Sequence, residues 1–471
     1  MYFLESEIIE LFNNQRNMDV INVDVLYNPI ESINIKRDSE LKIILETVSH
    51  FNATTQADTI PMGMVYINRS EVKLKDKFSN SSFVLAGVTP YSSNISLNDN
   101  VRTEWSSLDS LKATFESLTE EKYLIEFVSN MDMNNFILPD NISIKKSIIE
   151  TIDIDKINFS DTSTNRTGSL GCIGLKINDF SLYICSYKHN NQNYQYILYD
   201  KIVPEEERRK IRDSISFIIG KPIIYLGYST YTDTEESKIV SFELKSAYDY
   251  KGAFTLEEWP PTILSSNMSN IIDSTVFNSL LISLYENYEK YHFQHLFWMY
   301  WHASTSHFYS ASVQFGGCIE SLQNSYLEEN SNSKIIESKK IWKDFRHDTK
   351  KLIDGLKIEN NEKELLKNKM NNLNFLPQQK QLEKLFDLLN IELTNLESNT
   401  WKQRNIPAHG KEIKNDIDYI RGVKILRTLL NRLVLKISNA SEYYFDYYSF
   451  GNEKSYKLRS ITDGIKDGEE I

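Results

Sequence analysis

The first ~250 positions alternate apolar and polar residues over short runs punctuated by turn residues, the period-2 signature of half-buried strands. Such runs are Met18–Tyr27, Leu41–Val48, Phe83–Val88, Tyr123–Val128 and Cys172–Ile177. Asn178-Asp179 is a turn pair that joins the last run to Phe180–Tyr187, which predicts a hairpin. Further strands are expected at Tyr194–Tyr199, Ile223–Leu226 and Ile239–Leu244. One helix interrupts them. Pro204 precedes three glutamates, basic residues follow, and Gly220 closes the run. Acids in the first turn and a terminal glycine are helix start and stop signals.

Trp259-Pro260-Pro261 breaks the strand pattern and places a linker over 253–274. Beyond it the period changes to 3.6. Val276–Trp301 is apolar on more than one face, as a helix central to a bundle would be. Ser306–Glu328 continues as helix, with Gly316-Gly317 as a close-packing or kink point. Lys334–Asn372 is lysine-rich, Leu376–Leu396 is amphipathic, and a closing helix runs from Asn415 to Ser438 with an apolar stripe from Ile417 to Ile437. After Tyr448 the chain turns polar and is expected to fray. The fold class is therefore α+β and multidomain: a β-rich domain over 1–252, the linker, a helical bundle over 275–448, and a polar tail over 449–471.

Composition narrows the functions available. The chain has 471 residues, 41% of them hydrophobic and 25% charged, with 27 Tyr and 23 Phe to fill its cores. A formal net charge of −12 argues against a general nucleic-acid coat but leaves room for a small local basic site. Three cysteines, widely spaced, form no zinc pattern or disulfide framework, which fits a reducing cytoplasm. The opening MYFLESEIIELFNN carries acids where a secretion signal needs positive charge, and no apolar run reaches the ~20 residues that span a bilayer, so no membrane partner is expected. His292, His295, His302 and His307 lie among aromatics and read as core or interface histidines. The lysine run from Lys339 to Lys351 is interrupted by acids and reads as a solvated face.

The residues that carry candidate chemistry are Arg404-Asn405-Ile406-Pro407-Ala408-His409-Gly410. Arginine holds its charge at any physiological pH and can fork two hydrogen bonds onto phosphate oxygens. Histidine gives or takes a proton near neutrality. On an unbroken helix, positions five apart point ~140° from each other. Pro407 and Gly410 place the segment at a helix end or bend, where both side chains can face one phosphate. The bland alternative is an interhelical turn, with Arg404 paired to an acid and His409 capping a helix.

The RNIPAHG segment resembles the R-x4–6-H signature of HEPN domains, including the polar residue after the arginine, the glycine after the histidine and the position before a long terminal helix. The layout, with Phe83–Leu97 as a glycine-containing strand pair, resembles the ApeA-type anti-phage proteins. The resemblance implies an all-α HEPN bundle that dimerises, and a metal-independent endoribonuclease needing no cofactor. Its substrate would be cellular RNA, tRNA among the candidates, cut in abortive-infection defence. The N-terminal domain would sense a phage-derived trigger or hold the enzyme inactive. His409 would move protons, Arg404 would stabilise the phosphorane, Asn405 would orient the histidine or bind phosphate, and Glu320 would orient the arginine. Two protomers would bring their motifs together. HepT-type toxins carry a tyrosine two residues after the histidine; Lys411 stands there instead, which disfavours that subgroup. The competing readings are a catalytically inactive HEPN-fold module that binds nucleotide, RNA or protein, and an interaction protein whose motif is coincidental.

Overall fold

The computed structural model describes residues 5–13, 18–20, 26–54, 71–76, 82–115, 120–131, 136–145, 148–149, 168–189, 192–232, 239–248, 256–257, 259–265, 270–330, 334–370, 373–404, 416–450 and 456–466. Two compact units result: residues 1–258 with 264–278, and residues 259–263 with 279–471. The first is β-rich and the second mainly helical, an α+β layout in two parts.

In the first unit, helix α1 (Glu5–Asn13) precedes β1 (Met18–Val20), β2 (Asn28–Arg37), β3 (Ile43–Thr54), β4 (Val72–Asp76), β5 (Ser82–Ala86), β6 (Thr89–Ser96), β7 (Val101–Leu108) and β8 (Ser110–Thr114). Then come β9 (Glu121–Ser129), β10 (Asp140–Lys145), β11 (Ile148–Ile149), β12 (Gly168–Ile177), β13 (Phe180–His189) and β14 (Gln192–Tyr199). Helix α2 (Glu205–Ile219), β15 (Ile224–Thr232) and β16 (Ile239–Lys245) complete it. The strands form a four-stranded sheet, β2-β3-β7-β6, and a twelve-stranded sheet, β1-β4-β5-β8-β16-β15-β9-β14-β13-β12-β10-β11. All these ladders are antiparallel. The expected hairpin is present, Ile177 pairing with Phe180 across Asn178-Asp179.

Helix α2 starts after Pro204 and ends at Gly220, as its signals predict. It buries charge as well as apolar surface. Arg208 and Arg212 both reach Glu126 of β9, whose side chain is wholly buried and also accepts from the Tyr199 hydroxyl. Burial pushes the Glu126 carboxyl above its ordinary value, against the pull of the two arginines. Each guanidinium lies on a tyrosine ring, Arg212 on Tyr225 and Arg208 on Tyr228.

Helix α3 (Ser274–Glu286) runs across the division between the units. The second unit continues with α4 (Phe293–Thr305), α5 (Phe308–Asn330), α6 (Lys339–Asp354), α7 (Asn360–Met370), α8 (Gln378–Leu389), α9 (Asn395–Gln403) and α10 (Asp416–Ile437). A hairpin of β17 (Tyr443–Phe450) and β18 (Tyr456–Ser460) follows. The apolar stretch 276–301 is two helices rather than one: the chain turns at His292, whose φ is 52°. The stretch 376–396 likewise divides at Asn390, a left-handed cap. Within the segment read as a linker, Trp259 is buried, its ring centroid 4.4 Å from that of Tyr447 and 4.4 Å from the Arg427 guanidinium carbon.

The described part of the tail, 449–450 and 456–466, is ordered rather than frayed. Its aromatic alternation pairs β17 with β18, Asp446 and Arg459 form a buried ion pair at 2.6 Å, and Ile461 and Ile465 are fully buried. The polar composition beyond residue 448 hid these few anchoring residues.

The tail is tied to the bundle through Arg432 of α10 and Glu397 of α9, both 0% exposed and 3.0 Å apart. Arg432 also donates to the carbonyls of Ile461 (2.9 Å), Glu392 (2.9 Å) and Thr462 (3.0 Å). Glu397 accepts from the Thr394 and Ile465 backbone N–H groups and from the Thr394 hydroxyl, closing a capping box at the start of α9. Gly464 lies so close that a Cβ there would stand 2.4 Å from Thr394 Cγ2. Burial pushes the Glu397 carboxyl up, and Arg432 opposes that shift.

Breaking a buried pair strands the remaining charge. Glu397→Ala is therefore expected to destabilise the second unit by about 3–5 kcal/mol. Glu397→Gln, which retains an acceptor oxygen, is expected to cost less. Urea unfolding read by hydrogen exchange in α9 and α10 checks both; equal and small losses would contradict the keystone role of the pair.

Candidate functional site

Helix α9 carries Glu397, Trp401 and Arg404 at i, i+4 and i+7, so one helical face holds all three. Glu397 fixes the start of the helix and Trp401 is fully buried one turn later. Arg404 is the C-cap, where its cation complements the negative end of the helix dipole. Its Nη1 donates to the Trp401 carbonyl at 2.7 Å, satisfying an orphan acceptor of the last turn. Its guanidinium carbon lies 3.4 Å from the Trp401 ring centroid. The residue is 7% exposed, and Nε has no hydrogen-bond partner among the described residues.

The other wall is α5. Tyr309, Ser312, Gly316 and Glu320 recur at spacings of three, four and four, a single stripe along that helix. Glu320 pairs with Arg404 Nη2. The Ser312 hydroxyl reaches the Arg404 carbonyl at 3.5 Å, and the Tyr309 hydroxyl donates to Asp416 at the start of α10. Glu320 is 31% exposed, so the pair opens to solvent on the carboxylate side. The two residues flanking the 405–415 segment, Arg404 and Asp416, are thus both fastened to the same face of α5. Tyr419 reinforces this end of the site, its hydroxyl donating to the Gln403 carbonyl at 3.4 Å.

Gly316 makes the approach of Arg404 possible. A Cβ at 316 would stand 2.7 Å from Arg404 Cδ, whereas one at Gly317 would meet nothing within 4 Å. Helix α5 runs unbroken through both glycines, and the close packing is at Gly316 alone.

Of the four site residues expected from sequence, the structure brings Arg404 and Glu320 together. Asn405 and His409 lie outside the described residues, as do Pro407, Gly410 and Lys411. Trp401, Ser312, Tyr309 and Asp416 escaped the sequence reading. Trp401 carried a faint signal: it stands three residues before Arg404, on the same helical face. His292, His295 and His307 are exposed and His302 is half-buried, so none is a core histidine; His295 lies beside Trp298, and Trp298 against His302 at 4.3 Å. Cys318 is fully buried, and burial pushes its thiol up to about 12.

No protein-family model, curated protein or solved structure matches this chain. The chemistry therefore rests on the site itself. A permanent cation is held on a tryptophan ring by a carboxylate, at the mouth of a segment that carries an imidazole five residues on. Such a cation can bind or stabilise an oxyanion, phosphate above all, while the carboxylate sets its orientation.

Gly316→Ala should disturb this pair far more than it disturbs the helix, because alanine is the better helix former by about 1 kcal/mol. We expect a near-neutral change in overall stability together with a coupling of at least ~0.5 kcal/mol to Glu320→Gln in a double-mutant cycle. Strict additivity would show that Gly316 does not set the position of Arg404.

Proposed function

We propose that the chain is a HEPN-type endoribonuclease whose reaction centre is Arg404 and His409, with Glu320 as the positioning residue of the arginine. The observation that carries this reading is the ion pair of Arg404 with Glu320, formed where the R-x4-H segment leaves α9. Glu320 is the acid that the resemblance implies beside this arginine, and the same guanidinium is stacked on Trp401.

RNA supplies its own nucleophile, the 2′-hydroxyl. His409 takes that proton or protonates the departing 5′-oxygen. Arg404 stabilises the charge that builds on the non-bridging oxygens. Glu320 and Trp401 hold the guanidinium in place beforehand, so little reorganisation accompanies the reaction. Asn405 adds a polar contact to phosphate or imidazole. One such pair is a sparse set for this chemistry, and a second protomer contributing its own pair would complete the centre. The β-rich unit would restrain the enzyme until a phage-derived trigger releases it in the bacterial cytoplasm. Among the described residues no helix is long and apolar enough to cross a membrane.

A second reading is favoured by one fact. Arg404 is almost fully buried and already neutralised by Glu320, as in a site that binds RNA or nucleotide without turning it over.

Incubating purified full-length protein with total RNA separates the two. Arg404→Ala and His409→Ala should each lower cleavage by ~10²–10⁴-fold. Arg404→Lys should fail nearly as badly, because an ammonium cannot fork two hydrogen bonds or stack flat on Trp401. Cleavage that is the same in all four proteins sinks the ribonuclease reading. RNA retained by the wild type without cleavage establishes the second.

A further inference from the structure

The chain uses three cysteines in 471 residues, and two of them meet. In the large sheet of the first unit, the β12–β13 register sets Cys172 directly opposite Cys185. Residues opposite each other in antiparallel strands have Cα atoms about 4.5–5.5 Å apart. That lies within the ~4.4–6.8 Å that a disulfide spans without backbone movement. The two Sγ atoms are 3.6 Å apart, in van der Waals contact, and both side chains are buried in the apolar core of the sheet. Side-chain rotation alone brings them to bonding distance. Cys318, in the other unit, is buried with its Sγ toward the Leu296 carbonyl and has no cysteine beside it.

We propose that Cys172 and Cys185 form a reversible dithiol–disulfide site that closes across the β12–β13 ladder. With a peroxide as oxidant, the thiolate of one cysteine attacks a peroxide oxygen and the O–O bond breaks. One oxygen stays on sulfur as a sulfenic acid, and the other leaves as water after protonation. The second sulfur then attacks the sulfenic sulfur. The S–O bond breaks, a second water leaves, and the S–S bond forms; the two thiols have supplied the two electrons that reduce the peroxide.

The core governs the rate. Burial holds the Cys185 thiol well above its ordinary pKa, and the neighbouring Cys172 adds to the shift, so little thiolate exists while the sheet is closed. Oxidation therefore passes through local opening of the ladder. The resulting bond ties β12 to β13 and makes a permanent mark of an opening event, until a thiol reductant removes it. This site is independent of the Arg404 reading and stands or falls without it.

The test uses full-length protein treated with hydrogen peroxide, denatured, and alkylated. Before alkylation the oxidised chain should be about 2 Da lighter; after alkylation it should show a thiol titre of one in place of three, with full recovery in dithiothreitol. Sub-denaturing urea should accelerate the change. Cys318→Ser should keep the loss of 2 Da, and Cys172→Ser should lose it. A titre that stays at three even when urea opens the unit would overturn the proposal. So would thiol loss that appears as added oxygen, or as a cross-link between two chains. Because the wild type carries the primary readout, a poorly folded Cys172→Ser does not blunt the experiment.

Discussion

A single buried ion pair, Glu397 with Arg432, fixes the geometry on which the second unit depends. A guanidinium removed from water is tolerable only when its donors are met, and here one carboxylate and three backbone carbonyls meet them. Those acceptors come from the loop before α9, from α9 itself and from the turn after β18. The pair therefore locks three separate stretches of chain at one point. A hydrophobic contact of equal area would hold them together but leave their rotation free. Charge with fixed hydrogen-bond directions does not.

From that point, structure passes along α9 by helical phase. Glu397, Trp401 and Arg404 share a face, so anchoring the first and burying the second decides where the third can point. The bundle then needs an opposing surface without bulk, which Gly316 provides, and a counter-charge one turn further along α5, which Glu320 provides. The guanidinium ends up stacked on Trp401 and paired with Glu320. In the first unit, Glu126 plays a comparable part, gathering Arg208 and Arg212 beneath α2.

Much of this was legible in the sequence, though unevenly. Period-2 and period-3.6 patterns give the division into a β-rich and a helical part, because each unit buries one face of regular elements. The limits of α2 and the 178–179 turn follow from local signals that act within a few residues. Glu320 was reachable only through the family resemblance, which implies an acid on an early bundle helix beside the arginine. Breaks within apolar stretches were not reachable. At His292 and Asn390 the chain adopts left-handed backbone that the apolar pattern does not mark, although asparagine is a usual left-handed helix cap. The tail was misread because a few buried residues, Asp446, Arg459, Ile461 and Ile465, outweigh a polar average. The Arg432 cage depends on partners 29 to 40 residues away, a separation that no window of local pattern captures.

The stripe on α5 has a further consequence for how such a site can vary. Arg404 and Asp416 are both moored to that helix, so the two ends of the span between them are held on one rail. Closure entropy grows only with the logarithm of length, about 0.6 kcal/mol for each doubling. The number of residues separating the arginine from the histidine is thereby uncoupled from the stability of the bundle.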